Sequence, residues 1–401
     1  MKTNIVEIKQ GTVTSSGGFT AGAAGAGIKY TGRLDLGLLY SEKPCTSAAV
    51  FTSNKVKAAP ILVTAGHIKK GGARAVIVNS GCANACTGKA GIKAAREIAR
   101  LAGEKLNIKP EQVIVASTGV IGTHMPVDRV KTGLRKIVLS AAGGHQLARD
   151  IMTTDTRTKE IALRVTDSNG TYIIGGIAKG AGMIHPDMAT LLSFLTTDAR
   201  VETKFLQVAL KKAVDGSFNM ITVDGDTSTN DMVSLLANGA AGTAGITTKS
   251  GRTFQEALNR VCRFLACSIA ADGEGATRLV EVNIEGALTP AQARKAARTV
   301  TGSSLVKSAI HGNDPNWGRI VAAIGRSGIH IEENSIDVHL QGKAMMKQGR
   351  PLPLDKAAAS ASLKSDKVVI DVHLNVGRGK ATAWGCDLSE EYVTINSDYT
   401  T

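Results

Sequence analysis

Glycine residues occur at short intervals along the whole chain. The 44 glycines separate short segments of hydrophobic periodicity, and no Pro/Ser-rich linker or block of like charge marks a domain boundary. The length of 401 residues corresponds to about two or three domains, and 43% of the residues are hydrophobic, enough for a buried core. The pattern therefore indicates many short elements in one continuous globular chain.

Strand and helix patterns alternate along the sequence. Apolar runs predict strands at 75–78 and 113–116, with a helix over about 93–106 between them. Asn169-Gly170 predicts a hairpin between strands at 161–165 and 172–177, because both turn positions favour positive φ. The remaining periodic segments predict helices at 127–139, 146–152, 204–214 and 254–270 and strands at 191–195, 279–284, 336–340 and 368–374. This order is typical of a layered α/β fold.

Several nucleotide and hydrolase motifs are absent. Residues 17–27 read GGFTAGAAGAG, which lacks the G-x-G-x-x-G spacing and follows no predicted strand, so an irregular loop is expected there. No G-x-x-x-x-G-K-[ST], G-x-S-x-G or H-E-x-x-H occurs. The sequence therefore gives no support for a nucleotide-binding loop, a hydrolase elbow or a zincin.

The net charge and the cysteine content limit the classes of ligand and the cellular compartment that can be expected. The formal charge of +14 favours binding of anionic small molecules or polyanions. Only 3% of the residues are aromatic, however, which argues against a surface on which nucleic-acid bases stack. The charged N-terminus and the lack of about 18 consecutive apolar residues argue against export and membrane insertion. We expect buried thiols in a reducing cytoplasm, since no metal or disulfide spacing links the six cysteines: Cys45, Cys82, Cys86, Cys262, Cys267 and Cys386.

A threonine stands where a flexible loop enters a predicted strand. Residues 179–192 read KGAGMIHPDMATLL, so Thr190 follows a glycine-rich loop and precedes the apolar run 191–195. If the peptide bond before it is strained, an N-to-O acyl shift and hydrolysis would leave Thr190 as a new N-terminus. Its α-amine, with an ordinary pKa of about 7.7 to 8.0, could then act as the base for its own hydroxyl. Local sequence alone leaves an ordinary turn as the alternative.

The same segment resembles the processing site of the ornithine acetyltransferase (glutamate N-acetyltransferase, ArgJ) family. In that family the bond before the Thr of M-A-T-L is self-cleaved, which corresponds here to Ala189-Thr190. Cys82 departs from the Asn found in many members, which puts only local packing in doubt. Further blocks extend the resemblance over essentially the whole chain: NSGCANACTG (79–88), STGVIG (117–122), MTTDT (152–156), DGEGATR (272–278), GNDPNWGRI (312–320) and YVTINSDYTT (392–401).

The resemblance implies roles for individual residues. Thr118 and Gly119 correspond to the oxyanion hole, where a hydroxyl and a backbone N–H stabilise a tetrahedral intermediate. Thr190 is the implied nucleophile. The positions that match substrate contacts, besides Thr190 itself, are Thr153, Lys179, Glu274, Asn396 and Thr401. Without the resemblance, a strand-ending turn, a solvated lysine and a solvated acidic turn would be the ordinary interpretations.

His185, Asp155 and Asp187 suggest a catalytic triad, but the free amine of Thr190 would make a histidine base unnecessary. Structural support of the processing loop is the role expected for His185 and Asp187. No metal constellation is present in the sequence, and no cofactor is expected, with acetyl-CoA only as a possible co-substrate.

The implied fold is the ArgJ/DmpA-like self-cleaving N-terminal-nucleophile fold. Fragments 1–189 and 190–401 would stay associated as α and β chains, usually in an α2β2 heterotetramer. The implied activity moves the acetyl group of N-acetylornithine to glutamate, giving ornithine and N-acetylglutamate through an ester on Thr190. Two alternatives stay open: an aminopeptidase or amidohydrolase of the related fold, and a basic RNA-binding protein, suggested only by the net charge. Against the latter, no run of five or six Lys/Arg occurs.

Overall fold

The computed structural model describes residues 3–29, 31–185 and 191–398. In this part of the chain the strands are β1 (Asn4–Glu7), β2 (Phe19–Ala24), β3 (Leu36–Ser41), β4 (Thr46–Phe51), β5 (Ala75–Asn79), β6 (Val113–Ser117), β7 (Lys159–Asp167), β8 (Gly170–Lys179), β9 (Leu192–Thr197), β10 (Ile221–Thr222), β11 (Met232–Ala237), β12 (Leu279–Ala287), β13 (Asp337–Leu340), β14 (Lys343–Lys347), β15 (Arg350–Pro351), β16 (Lys367–His373) and β17 (Gly379–Cys386). The α-helices are α1 (Ala59–Lys70), α2 (Gly88–Leu106), α3 (Val127–Lys136), α4 (Gly144–Asp150), α5 (Thr203–Asp215), α6 (Arg252–Ala271), α7 (Pro290–Thr301), α8 (Ser304–His311), α9 (Trp317–Gly325), α10 (Lys356–Ser362) and α11 (Glu390–Ser397).

The chain divides into two compact units. The first comprises Met1–Gly180, Asp187–Phe218 and Thr227–Leu265, and the second comprises Ala181–Pro186, Asn219–Asp226 and Ala266–Thr401. Each unit therefore draws on residues from both sides of the predicted cleavage site.

The first unit is built on two sheets. One has the strand order β1-β7-β8-β9-β11-β4 and the other β2-β3-β5-β6. Since side chains alternate between the faces of a strand, each sheet can bury residues on both sides. Between the sheets lies a core to which both contribute, including Phe19, Leu39, Val76, Ile177, Phe194 and Leu236.

Helices cover the outer faces of both sheets. On the four-stranded sheet, Leu38 and Ile77 pack with Ile98 of α2 and Leu134 of α3. On the six-stranded sheet, Tyr172 of β8 stacks on Phe254 of α6, whose ring lies 6.0 Å from that of Phe205 in α5. The first unit is thus a helix–sheet–sheet–helix sandwich.

The second unit is built on a seven-stranded sheet in the order β10-β17-β12-β16-β13-β14-β15. Its interior strand β12 runs parallel to β16 and antiparallel to β17. Val280, Val282 and Ile284 alternate inward along β12, and α7 packs on β12 and β17 through small buried side chains such as Ala293 and Ala297.

Most of the predicted elements are confirmed. The strands predicted at 75–78 and 113–116 are β5 and β6, and the one predicted at 191–195 is β9. Helix α2 begins five residues before the predicted start, and α3 ends three residues before the predicted end. Among the described residues, no helix has the length and hydrophobicity needed to cross a membrane.

The predicted hairpin is confirmed with its turn shifted by one residue. Asp167 pairs with Gly170, so the two loop residues are Ser168 and Asn169. The Asp167 carboxylate accepts the N–H of Asn169 at 2.7 Å, and Gly170, with φ of +126°, resumes the strand. A side-chain hydrogen bond thus shapes the turn, rather than positive φ at both Asn169 and Gly170.

The loop predicted at 17–27 is wrong, because β2 runs through it and pairs with β3. Its small residues serve close packing: a Cβ on Gly22 would clash with the carbonyl oxygen of Val138, and one on Gly143 would clash with that of Ala21. A composition typical of loops therefore forms a strand here, since neighbouring backbone lies directly against it.

Replacing Gly22 by alanine should destabilise the protein, because the added methyl meets backbone that cannot move away cheaply. We expect a loss of about 1–3 kcal/mol in the free energy of unfolding, measured by denaturant melts. Gly66→Ala is the control: this helix glycine has no atom within 4 Å of its ideal Cβ, so stability should be unchanged or slightly raised. Equal stability of the two variants would contradict the packing argument.

Candidate active site

A tight turn follows β6 in the first unit. The N–H of Thr118 donates to the carbonyl of Asn79 at 2.9 Å, which leaves the Thr118 hydroxyl as the group this residue can offer to a ligand. Gly119 has φ of +129°, and a Cβ there would lie 2.6 Å from the backbone nitrogen of Cys82. The position therefore requires glycine both for its conformation and for its space.

A buried lysine reaches this turn from the end of β8. Lys179 is 3% exposed, and its ammonium donates to the hydroxyl of Thr153 at 2.8 Å and to that of Thr118 at 3.4 Å. The structure thus brings together Thr118, Thr153 and Lys179, three of the residues predicted for the site, and Gly119 adjoins Thr118.

Asp155 holds this cluster in place. One of its carboxylate oxygens accepts from Lys159 at 2.7 Å and from the N–H of Gly180 at 2.7 Å, and the other accepts from the N–H of Thr153 at 3.0 Å. The second oxygen lies 4.0 Å from the Lys179 ammonium. Burial alone would raise the pKa of Asp155, but the Lys179 and Lys159 ammonium groups and these hydrogen bonds lower it to about 2. Asp155 is therefore ionised and pairs with lysine, not with a histidine.

The strand that follows the predicted cleavage site lies beside β8. Lys179 pairs with Leu192 in the antiparallel β8–β9 register, and the N–H of Leu191 donates to the buried carboxylate of Asp231 at 3.0 Å. The predicted nucleophile and several other predicted positions lie outside the described residues: Asp187, Ala189, Thr190 and Thr401.

In the second unit, Glu274 lies in the loop between α6 and β12. It is 7% exposed, its backbone N–H donates to the carbonyl of Ala181 at 2.9 Å, and its carboxylate accepts from the Asn396 amide at 2.8 Å. A Cβ on Gly182 would overlap the Glu274 carboxylate. Two predicted substrate contacts, Glu274 and Asn396, are therefore hydrogen-bonded to each other, and glycine at 182 leaves room for the acid.

The segment before residue 186 is fixed within the second unit by Asp224. Its carboxylate accepts the N–H groups of Met183 at 2.5 Å and Ile184 at 2.9 Å, and burial raises its pKa. His185 places Nδ1 3.2 Å from the hydroxyl of Thr222. The described partner of His185 is thus a threonine, and its predicted structural role stays a prediction.

Sequence reasoning missed several buried polar residues around the turn. The Asn230 amide donates to the carbonyls of Ala83 at 2.7 Å and Ser117 at 2.9 Å, and Asp231 binds Leu191 as described above. The available signal was the polar run 224–231, DGDTSTND, directly before the apolar strand β11. Among the described residues, no group of three His, Cys, Asp or Glu side chains is placed to bind a metal, and none of the six cysteines forms a disulfide.

The protein thus has a layered α/β architecture in which threonine hydroxyls at and near a strand-end turn lie beside a buried lysine. The profile of the ArgJ family matches residues 20–401, and the chain belongs to this family. The family resemblance and the layered α/β fold class are therefore confirmed.

Individual relatives of the chain carry the name of the same family. An arginine biosynthesis bifunctional protein ArgJ from Dehalococcoides mccartyi (strain CBDB1) is 51% identical over 405 residues, covering 100% of both chains. A protein of the same name from Symbiobacterium thermophilum is 52% identical over 397 residues, covering 98% of this chain and 99% of its own. A crystal structure of arginine biosynthesis bifunctional protein argJ from Bacillus halodurans has a TM-score of 0.51 and 45% identity, covering 51% of this chain and 98% of that chain.

Asp155→Asn should destabilise the protein strongly, because it leaves the fully buried Lys159 ammonium without its carboxylate. We expect a loss of about 3–5 kcal/mol at neutral pH, measured by denaturant melts. Since the folded pKa of about 2 lies below the ordinary 3.8, the Asp155 contribution is complete above about pH 4 and falls as pH drops towards 2.

The control for this prediction is Asp215→Asn, which removes the partner of the exposed Lys211. That change should cost at most about 1 kcal/mol. A similar small loss for Asp155→Asn, or a loss that does not shrink in acid, would show that the buried pair does not stabilise the fold.

Proposed function

We propose that this chain is an acetyltransferase of arginine biosynthesis that cleaves itself before Thr190 and moves acetyl from N-acetylornithine to glutamate. The observation that carries the proposal is the cluster of Thr118, Thr153 and Lys179 beside the strand that begins two residues after Thr190. Family membership supports the same reaction, because the relatives that match end to end are named for arginine biosynthesis.

The proposed cleavage leaves the sheet intact. Strands β1, β4, β7 and β8 precede residue 190, whereas β9 and β11 follow it, and all six share one sheet. Cutting one bond in the β8–β9 connection removes none of the pairings from Lys179↔Leu192 to Ile174↔Thr197. Fragments 1–189 and 190–401 would therefore stay together by strand pairing, and their assembly as an α2β2 heterotetramer is part of the proposal.

A length relation among the relatives supports the split into two chains. Half of this chain accounts for 98% of the crystallised Bacillus halodurans chain, which thus has about half the length of this one. A relative separated into two polypeptides would give such coverage.

In the proposed reaction the α-amine of Thr190 takes the proton of its own hydroxyl as the oxygen attacks the acetyl carbonyl of N-acetylornithine. The Thr118 hydroxyl and the Gly119 N–H stabilise the oxyanion. The C–N bond then breaks, the amine of ornithine leaves with a proton from the Thr190 ammonium, and an acetyl ester remains on Thr190. The glutamate amine attacks this ester by the same route, which releases N-acetylglutamate and restores the hydroxyl.

Two charged residues are proposed partners for the substrate charges. Lys179, whose ammonium is directed at two predicted site hydroxyls, would pair with a substrate carboxylate or lower the pKa of the Thr190 amine. Glu274, held by Asn396, would bind the ammonium of ornithine. Thr401 joins this set through family resemblance alone.

Acetyl-CoA is proposed as a second acetyl donor. The two relatives at 51% and 52% identity are both named bifunctional, which supports a second activity that makes N-acetylglutamate from acetyl-CoA. No resident cofactor enters the proposed reaction, and a cytoplasmic location remains a prediction.

The reaction is tested by supplying purified protein with N-acetylornithine, with and without glutamate, and following ornithine and N-acetylglutamate. We expect the two products in equal amounts when glutamate is present, and little release of ornithine without it beyond one equivalent per site. Thr190→Ala should abolish both products, because it removes the nucleophile, whereas the exposed Thr132→Ala in α3 should leave the rates unchanged.

Two results would contradict the proposal. Rapid release of ornithine and acetate without glutamate would identify a hydrolase, the alternative with water as acceptor. Normal transfer by Thr190→Ala would exclude Thr190 as the nucleophile.

A further inference from the structure

One short polar segment contacts both Ser117, which precedes the oxyanion turn, and Leu191, which follows the proposed nucleophile. Residues 228–231 immediately precede β11, and all four are buried. Asn230 donates from one amide nitrogen to the carbonyls of Ala83 and Ser117, and Ser117 is the residue directly before Thr118. Asn230 therefore binds the backbone directly before the oxyanion turn.

The next residue contacts the chain that follows the proposed nucleophile. Asp231 is completely buried, and its carboxylate accepts the N–H of Leu191 at 3.0 Å. Burial raises the pKa of Asp231 well above its ordinary value. Its role toward Leu191 needs an acceptor oxygen, which a neutral carboxyl also supplies.

The segment is itself anchored on both sides. The Thr52 hydroxyl donates to the carbonyl of Ser228 at 2.7 Å, and the N–H of Ala58 donates to the carbonyl of Thr229 at 3.0 Å. The Thr229 hydroxyl donates to the amide oxygen of Asn230 at 2.6 Å, which turns the amide nitrogen towards its two carbonyls. These bonds give the two side chains fixed directions.

We propose that Asn230 and Asp231 are positioning residues that together set the position of Leu191, the residue after the proposed nucleophile, relative to the oxyanion turn. They are consecutive, so their Cα atoms lie about 3.8 Å apart. Asn230 holds Ser117, the residue before Thr118, and Asp231 holds Leu191, the residue bonded to Thr190. The inference rests on the proposed function, in which a misplacement of about 1 Å can cost a hundredfold in rate.

The Asn230 half is tested by a double-mutant cycle with Thr118→Ala, following the rate of self-cleavage and the kcat and KM of acetyl transfer per cleaved chain. Thr118→Ala and Asn230→Ala should each lower kcat by about a hundredfold with little change in KM. Since both act on one oxyanion site, the loss in the double variant should be clearly smaller than the product of the single losses. Losses that multiply would overturn the assignment of Asn230.

The Asp231 half is tested by comparing two substitutions of similar size. Asp231→Asn keeps an oxygen for the Leu191 N–H and should retain cleavage and kcat within about tenfold, whereas Asp231→Leu should lose about a hundredfold or more. An Asn variant as inactive as the Leu variant, or a Leu variant as active as the wild type, would overturn the assignment of Asp231.

Ser234→Ala, a buried change three residues further along β11, controls for general damage to the strand and should match the wild type. Should Asp231→Leu fail to fold, as judged by its melting curve, the activity of Asp231→Asn decides the assignment alone. The wild-type protein distinguishes this inference from the proposed function. If the wild type neither cleaves itself nor transfers acetyl groups, both the proposed function and this inference are refuted. If the wild type is active and the variants are equally active, only this inference is refuted.

Discussion

An ionised carboxylate buried between two lysines is the interaction on which the site depends. Asp155 binds Lys159 and the N–H groups of Thr153 and Gly180, and it lies 4.0 Å from the Lys179 ammonium. The buried ammonium groups would be costly without this charge, and the carboxylate would be costly without them. The pairing places Lys179 at the end of β8, where it reaches Thr153 and Thr118. Lys179, proposed to bind substrate, and the hydroxyl of Thr118, proposed as an oxyanion donor, are linked through this one cluster.

Close backbone approach is the second constraint on the first unit. The turn after β6 lies against the 79–82 segment, and Gly119 is the residue that permits it. In the same way Gly22 lets β2 lie against Val138. Glycine thus has two uses in this chain: it ends elements, and it lets backbones meet inside them.

Elements with strong apolar patterns were predictable from sequence. β5 and β6 are dominated by Val, Ile and Ala and are bounded by turn residues, and such apolar runs have few alternatives to a buried strand. β2 was missed because Phe19 is the only large apolar residue of FTAGAA, and its strand conformation comes from pairing with β3 and from tight packing. Helix boundaries shifted by a few residues because caps and tertiary contacts decide them.

Site residues that lie in a family motif were predictable from sequence. Contacts between residues far apart in the sequence were not predictable, because they form only in the folded chain. Thr118, Lys179 and Glu274 were found through family blocks, whereas the contact of Thr118 with Lys179 joins residues 61 positions apart and appears only in the folded chain. Asn230 and Asp231 belong to a polar run whose composition is that of a solvated loop. Their burial follows from the strands around them, which local sequence does not encode.

Self-cleavage at Ala189-Thr190 is the central claim, and the mass of the purified, denatured protein with N-terminal sequencing of any fragment tests it without assuming a substrate. The account predicts two chains, residues 1–189 and 190–401, the second beginning Thr-Leu-Leu-Ser-Phe. A single intact chain of 401 residues that nevertheless transfers acetyl groups would contradict it, because Thr190 would then have no free amine to activate its hydroxyl.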